Sequence, residues 1–203
     1  MNVLIACEYS GTVRDAFKTK GHYAMSCDLL PTDKPGRHYQ GDIRDVLIDK
    51  SIKWDLMIAH PECTYITNSG VCHLHKDAKR WVDLFNACEF FKLLLNANID
   101  KICIENPIPH KYGASWIGKK YSQIVQPWMF GHMEQKATCL WLKNLPKLTE
   151  TNNVKKEMML LPDNVRQRLH YLPPSPNRWK IRSTTYQGIA DAMASQWAKY
   201  QKL

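Results

Sequence analysis

The sequence predicts an α/β protein built on a doubly wound parallel sheet, followed by a short, irregular, basic C-terminal region. Three observations predict it. Short apolar runs alternate with helix-period segments over the first half of the chain, and several of those runs stop at a polar or acidic residue. Beyond residue 110 the alternation lapses, and basic residues accumulate.

Taken in order, residues 2–7 form an apolar run that reads as a first strand, and residues 11–20 follow with helical character. Ser10-Gly11 stands at the joint, and Gly21 is placed to end the helix. Residues 23–28 form a second strand ending in Asp28, and residues 32–36 a turn with a proline and a glycine. Gly41-Asp42-Ile43 opens a further short helix, for which Asp42 is a natural N-cap. Residues 54–60 read as a buried strand that runs straight into Pro61-Glu62-Cys63-Thr64. The clearest helix spans about 78–97, where positions 81, 84, 85, 88, 91, 94 and 95 form one apolar stripe. Residues 101–105 are another buried strand, ending at Glu105-Asn106-Pro107. Residues 135–142 suggest one more strand, residues 161–182 a surface segment, and residues 186–200 a closing helix.

A chain of 203 residues, 44% hydrophobic and 23% charged, suits one globular domain over residues 1–203. No apolar run approaches the roughly 18 residues of a membrane span, so no membrane association is expected. The first residues carry no basic segment before their apolar run, unlike a signal peptide. Seven cysteines without a CxxC pair argue against a disulfide framework and for a reducing, cytoplasmic setting. The net charge is +9, unevenly placed: residues 1–100 carry 12 Lys and Arg against 13 Asp and Glu, and residues 101–203 carry 16 against 6. One basic half beside a neutral half points to a polyanionic partner.

In open parallel sheets the ligand lies beyond the carboxyl ends of the strands. Cys7, Asp28, Asp42, residues 61–64 and residues 105–107 are therefore expected along one rim. An acid at the end of a second strand can bind ribose hydroxyls, and Asp28 has that place. The first turn, Cys7-Glu8-Tyr9-Ser10-Gly11-Thr12, contains one glycine. Asp42 suits an adenine amino group as well as a helix cap. Cys63, at a strand end and followed by a polar loop, has the surroundings of a nucleophile. A thiolate there, facing the carboxyl group of Glu105, makes sense for a pyrimidine: sulfur adds to carbon 6, a protonated Glu105 holds ring nitrogen 3, and carbon 5 attacks a donor methyl group. His60, Cys63, Cys72, His73 and His75 cluster in sequence but match no standard zinc spacing, so no metal is expected. Residues 68–79 are expected to close over the site.

At these residues the sequence resembles the DNA cytosine carbon-5 methyltransferases, above all short phage-type members. The resemblance rests on residues 3–22, Asp28, Gly41-Asp42-Ile43, residues 61–64, Ile104-Glu105-Asn106 and the closing Gln187-Gly188-Ile189-Ala190-Asp191-Ala192-Met193, all in the family's motif order. It implies a Rossmann-like class I sheet with S-adenosyl-L-methionine as cofactor. It implies Cys63 and Glu105 as catalytic residues, and Cys7, Gly11, Asp28, Asp42, Ile43, Pro61 and Ala190 around the donor. The family's Pro-Pro-Cys-Gln is Pro61-Glu62-Cys63-Thr64 here, and a carboxylate beside the thiol is expected to raise its pKa. The Gln-x-Arg-x-Arg segment corresponds to Gln135-Lys136-Ala137-Thr138, without its arginines.

The recognition module is reduced to a basic segment over residues 135–185. Its Lys136, Lys143, Arg178, Lys180 and Arg182 are candidates for holding phosphates of duplex or single-stranded DNA. Phosphate contacts supply affinity without sequence choice. A free pyrimidine nucleotide as substrate, or nucleic-acid or cofactor binding without catalysis, are the alternatives.

Overall fold

The computed structural model describes residues 1–68 and 73–198. Its elements are β1 (Asn2–Ala6), α1 (Thr12–Thr19), β2 (Tyr23–Asp28), β3 (His38–Gln40), α2 (Ile43–Ile48), β4 (Leu56–Ala59), α3 (Lys79–Leu95), β5 (Lys101–Pro107), α4 (Lys111–Ile117), β6 (Gln123–Val125) and β7 (Thr138–Lys143). Four short helices follow, α5 (Lys155–Met159), α6 (Asp163–Arg166), α7 (Arg168–Tyr171) and α8 (Arg178–Ser183), before the longer α9 (Gln187–Trp197). Among the described residues the strands form one seven-stranded sheet in the order β3-β2-β1-β4-β5-β7-β6. The first five are parallel, and β7 runs antiparallel between β5 and β6.

Side chains on a strand point alternately to its two faces, and here both faces are covered. Leu4, Ala6, Met57, Ala59, Ile102 and Ile104 face one layer, where α3 contributes Leu84, Cys88, Phe91, Leu94 and Leu95. Val3, Ile5, Leu56, Ile58 and Cys103 face the other, packed on Val13, Ala16 and Phe17 of α1 and on Ile189, Met193 and Trp197 of α9. This is the doubly wound α/β arrangement, with a mixed edge formed by β6 and β7. Two details of the expected helical stripe change. Trp81 is only partly buried and Phe85 is half exposed, because each packs edge-on against Trp116 of α4 rather than on the sheet. Residues 155–183 fold into short helices with few buried side chains, in keeping with their proline and charge content.

Arg14 of α1 is fully buried. Its guanidinium donates to Asp15 at 2.9 Å, to the hydroxyls of Ser26 and Thr32 at 3.2 and 3.1 Å, and to the carbonyls of Lys34 and Pro35 at 3.0 and 3.3 Å. A buried cation is tolerated when its donors are satisfied in this way. The result ties α1 to β2 and to the turn that follows it.

Glycine is required at the start of α9. A Cβ on Gly188 would lie 2.0 Å from the Phe130 carbonyl oxygen, and the Gly188 amide already donates to His132 Nε2 at 2.9 Å. Helix propensity favours alanine over glycine by up to about 1 kcal/mol, but here the clash dominates. Gly188→Ala is therefore expected to destabilise the protein by about 1–3 kcal/mol, read as a drop in melting temperature of roughly 2–4 °C per kcal/mol. An unchanged or raised melting temperature would refute the close approach.

Candidate active site

The carboxyl ends of β1, β2, β4 and β5 open into one groove of about 1240 Å³, larger than the roughly 300–1,000 Å³ of an ordinary small-molecule site. Cys7, Asp28, Asp42, Ile43, Pro61, Cys63, Glu105, Lys136 and Arg182 all line it. The five segments expected along one rim are thus brought together. Gly11, Ala190, Lys143, Arg178 and Lys180 are not among the lining residues.

At the first turn Cys7 adopts a left-handed backbone, with φ 57°. Glu8 is buried, and its carboxylate accepts the amides of Val13 at 2.7 Å and Arg14 at 3.2 Å, at the start of α1. A side-chain anion therefore occupies the positive end of this helix. Tyr9, also buried, donates its hydroxyl to the Lys180 carbonyl at 3.0 Å and packs edge-on against Trp179 at 5.7 Å. Helix α8 is folded back over the first turn in this way. Gly11 has φ 69° and lies against the Arg14 guanidinium. It stands at the start of α1.

Asp28 accepts the Leu30 amide at 3.0 Å. Burial raises its pKa, with the Leu30 amide and the charge of His38 opposing that rise. Asp42 caps α2 by accepting the Arg44 amide at 2.9 Å, and its other oxygen pairs with the Arg44 guanidinium at 2.9 Å. The cap and the groove-lining position coexist. Ala190 is fully buried between α9 and α1, so the place near the donor that the resemblance implied for it is corrected.

The Pro61–Cys63 loop is held from two sides. Asn106, 2% exposed, donates to the Pro61 carbonyl at 2.8 Å, and the Cys63 carbonyl accepts from the amides of Ile66 and Thr67, both at 3.1 Å. Burial pushes the Cys63 thiol up, the charge of Glu105 pushes it further, and Lys136 and Arg182 pull it down. Glu62 is exposed and is not a cause of that rise. The effect expected of it from sequence comes instead from burial and Glu105.

Glu105 requires a larger correction. Its carboxylate stands 2.7 Å from His60 Nδ1, and the two side chains are only 13% and 10% exposed. Burial alone would raise Glu105, but the hydrogen bond and charge of His60, aided by Lys136 and Thr138, lower its pKa. Burial alone would lower His60, but Glu105 holds it raised, with help from Glu8. Each partner thus favours the charged form of the other, an imidazolium facing a carboxylate, which opposes the protonated Glu105 expected from sequence. His60 was noted in the sequence only within a metal-like cluster. The stronger signal was its place, as an ionisable residue at the very end of a buried parallel strand.

The basic candidates divide. The Lys136 ammonium donates to the Arg182 carbonyl at 2.8 Å and lies over the Tyr186 ring at 5.8 Å. Arg182 is exposed. Lys180 pairs with Asp33 at 2.5 Å and Arg178 donates to the Leu172 carbonyl at 2.8 Å, both beside the groove. Lys143 lies at the far end of β7, opposite Ile102, and donates to the carbonyls of Ala97 and Ile99. It serves the turn after α3, which corrects its candidacy for phosphate.

Cys72, and residues 69–72 of the expected closing segment, lie outside the described residues. Among the described residues no group of three or more His, Cys, Asp and Glu is placed to hold a metal. No helix among them is long and apolar enough to cross a membrane.

The burial of Cys63 has a measurable consequence. Its alkylation by iodoacetamide at pH 7 is expected to be slower than that of free cysteine and to accelerate as pH rises. Lys136→Ala, which removes a favourable charge, is expected to slow it further. Peptide mass spectrometry reads the rate at Cys63, and an unchanged rate in the variant would exclude the influence of Lys136.

No family model matches the sequence, and no curated protein matches it. Among solved structures the fold is similar to a protein described as a DNA modification methyltransferase encoded within a prophage of E. coli. The identity is 16% and the TM-score 0.46, with 80% of this chain and 56% of that one covered. The Entamoeba histolytica methyltransferase EhMeth is also similar, at 16% identity and a TM-score of 0.47, over 87% of this chain and 64% of that one. The chain thus spans less than two thirds of either structure.

Proposed function

We propose that this protein transfers a methyl group from S-adenosyl-L-methionine to carbon 5 of cytosine in DNA, with Cys63 as the covalent nucleophile. The observation that carries the reading is a single groove with Asp28, Asp42 and Ile43 in one part and Cys63 and Glu105 in another.

The residues at the first part fit an adenosine-bearing donor. Asp28 ends β2 with a carboxylate lining the groove, where it suits ribose hydroxyls. The buried Ile43 offers an apolar contact for a flat ring. Cys7 brings backbone to the surface of the groove in a conformation that few side chains adopt. When bound, S-adenosylmethionine supplies an electrophilic methyl group.

The chain's own residues do the rest. The Cys63 thiolate donates an electron pair to carbon 6 of the base, and the pair of the 5,6 double bond moves onto carbon 5 and into the ring. Carbon 5 uses that pair for its bond to the methyl group, whose former bonding pair stays with the donor. The carbon 5 proton then passes to solvent, the pair of its C–H bond reforms the 5,6 double bond, and Cys63 leaves with the pair of the sulfur–carbon 6 bond. Pro61, fixed by Asn106, holds the loop that presents the thiol. Arg182, exposed at the groove, supports a phosphate contact. A second reading, nucleic-acid or donor binding without catalysis, is favoured by the setting of the Cys63 thiol, whose burial beside the Glu105 carboxylate favours its protonated form.

A mechanism-based trap separates the two. Single-stranded or duplex DNA carrying 5-fluorocytosine, incubated with S-adenosylmethionine, is expected to form a covalent adduct with the protein that survives denaturing electrophoresis. Cys63→Ser should form none. DNA binding without any adduct would establish the second reading, and an adduct with 5-fluoro-dCMP alone would move the substrate to a free nucleotide. Calorimetric titration with S-adenosylmethionine is expected to show binding that weakens about tenfold in Asp28→Ala, the effect of losing roughly one charged hydrogen bond. Equal affinity in the variant would displace the donor from this end of the groove.

A further inference from the structure

The His60 ring has a second nitrogen. Nδ1 is engaged by Glu105, whereas Nε2 is buried and has no hydrogen-bond partner. An unpaired buried donor is costly. It also lies on a residue that lines the groove, three positions before Cys63. Glu105 fixes the ring, so the orientation of Nε2 is set before any ligand arrives. A Glu105 held as a carboxylate cannot donate a proton to a ring nitrogen. The imidazolium can.

We infer that His60, oriented by Glu105, is the residue that hydrogen-bonds the pyrimidine, its Nε2–H donating to ring nitrogen 3 opposite the attack by Cys63. This rests on the proposed covalent attack and names the group that stabilises it. As the sulfur–carbon 6 bond forms, the displaced electron pair spreads from carbon 5 to nitrogen 3 and the adjoining carbonyl. The Nε2–H bond meets that charge, and the proton stays on or near the imidazole. When Cys63 leaves, the pair of the carbon 5–hydrogen bond, released as that proton passes to solvent, reforms the 5,6 double bond and the imidazolium is unchanged. His60 touches substrate and is a catalytic residue on this assignment. Glu105 acts through His60 and is a positioning residue.

The charged and titratable groups acting on His60 are Glu105 on β5, Glu8 after β1, Asp28 at the end of β2 and Lys136 before β7. The carboxylates favour the imidazolium and Lys136 opposes it. Adduct formation then depends on two fractions: Cys63 as thiolate, which grows with pH, and His60 as imidazolium, which shrinks with pH. Both groups are raised above their usual values, and a thiol ordinarily titrates above an imidazole. In the wild type the rate is therefore expected to climb tenfold per pH unit up to the His60 pKa and then level off.

The test is the rate of adduct formation with single-stranded DNA carrying 5-fluorocytosine and S-adenosylmethionine, measured from pH 5.5 to 9. The variants are His60→Gln and the double variant His60→Gln, Glu105→Gln. The double variant removes the carboxylate that the single one leaves buried and unpaired, so it stays informative if His60→Gln fails to fold. Loss of the cationic donor is expected to slow the adduct about 100-fold near neutral pH. The levelling should also vanish, leaving a rate that rises throughout the range. A merely structural role for His60 predicts a changed yield of folded protein with the wild-type profile, and that result would overturn the inference while leaving Cys63 attack intact. No adduct with the wild type at any pH would overturn the covalent reading itself, and this inference with it.

Discussion

The parallel register of β4 and β5 pairs Ala59 with Ile104 and so sets residues 60 and 105 side by side where the two strands leave the sheet. Everything at the centre of the groove depends on that juxtaposition. A lone histidine at this depth would be neutral, and a lone carboxylate would be protonated, because burial disfavours charge. Together, at 2.7 Å, each stabilises the charged form of the other. The pair fixes the protonation pattern of the site and sets a negative charge close enough to raise the neighbouring Cys63 thiol.

The loop carrying Cys63 departs from this same strand end, and its conformation is held by backbone acceptors rather than by the thiol. Pro61 is anchored to Asn106, the residue after Glu105, so β5 steadies both the ion pair and the Cys63 loop. The thiol faces opposing influences. Burial and Glu105 keep it protonated at rest, while Lys136 and Arg182 lower that barrier from the C-terminal half. Positive charge near the groove therefore acts on the Cys63 sulfur.

The first turn solves a different problem. With a single glycine it cannot hug a ligand along its length, and Glu8 already satisfies the opening amides of α1. Tyr9 instead recruits α8, whose Lys180 carbonyl and Trp179 ring close over it. Arg14, buried beneath, locks the same turn to the segment after β2. The N-terminal strand and the C-terminal basic segment are thus joined across nearly the whole chain length.

The alternation of apolar runs and helix-period segments determined the doubly wound sheet, because burial on both faces leaves a continuous apolar run in each parallel strand. Strand ends marked by Cys7, Asp28, Cys63 and Glu105 determined the rim, since in such sheets all carboxyl ends point one way. The two margins of the sheet were less legible. At the antiparallel margin only β7 was foreseen, and the edge strands Gln123–Val125 and His38–Gln40, on opposite sides, are too short to carry a period. Whether Phe85 faced the sheet or α4, and whether Lys143 faced phosphate or the carbonyls of Ala97 and Ile99, depended on neighbours that are distant in sequence. The state of Glu105 was decided by tertiary structure alone. Its charge is a property of the pair, and His60 becomes its partner only when two strands separated by α3 come to lie in register.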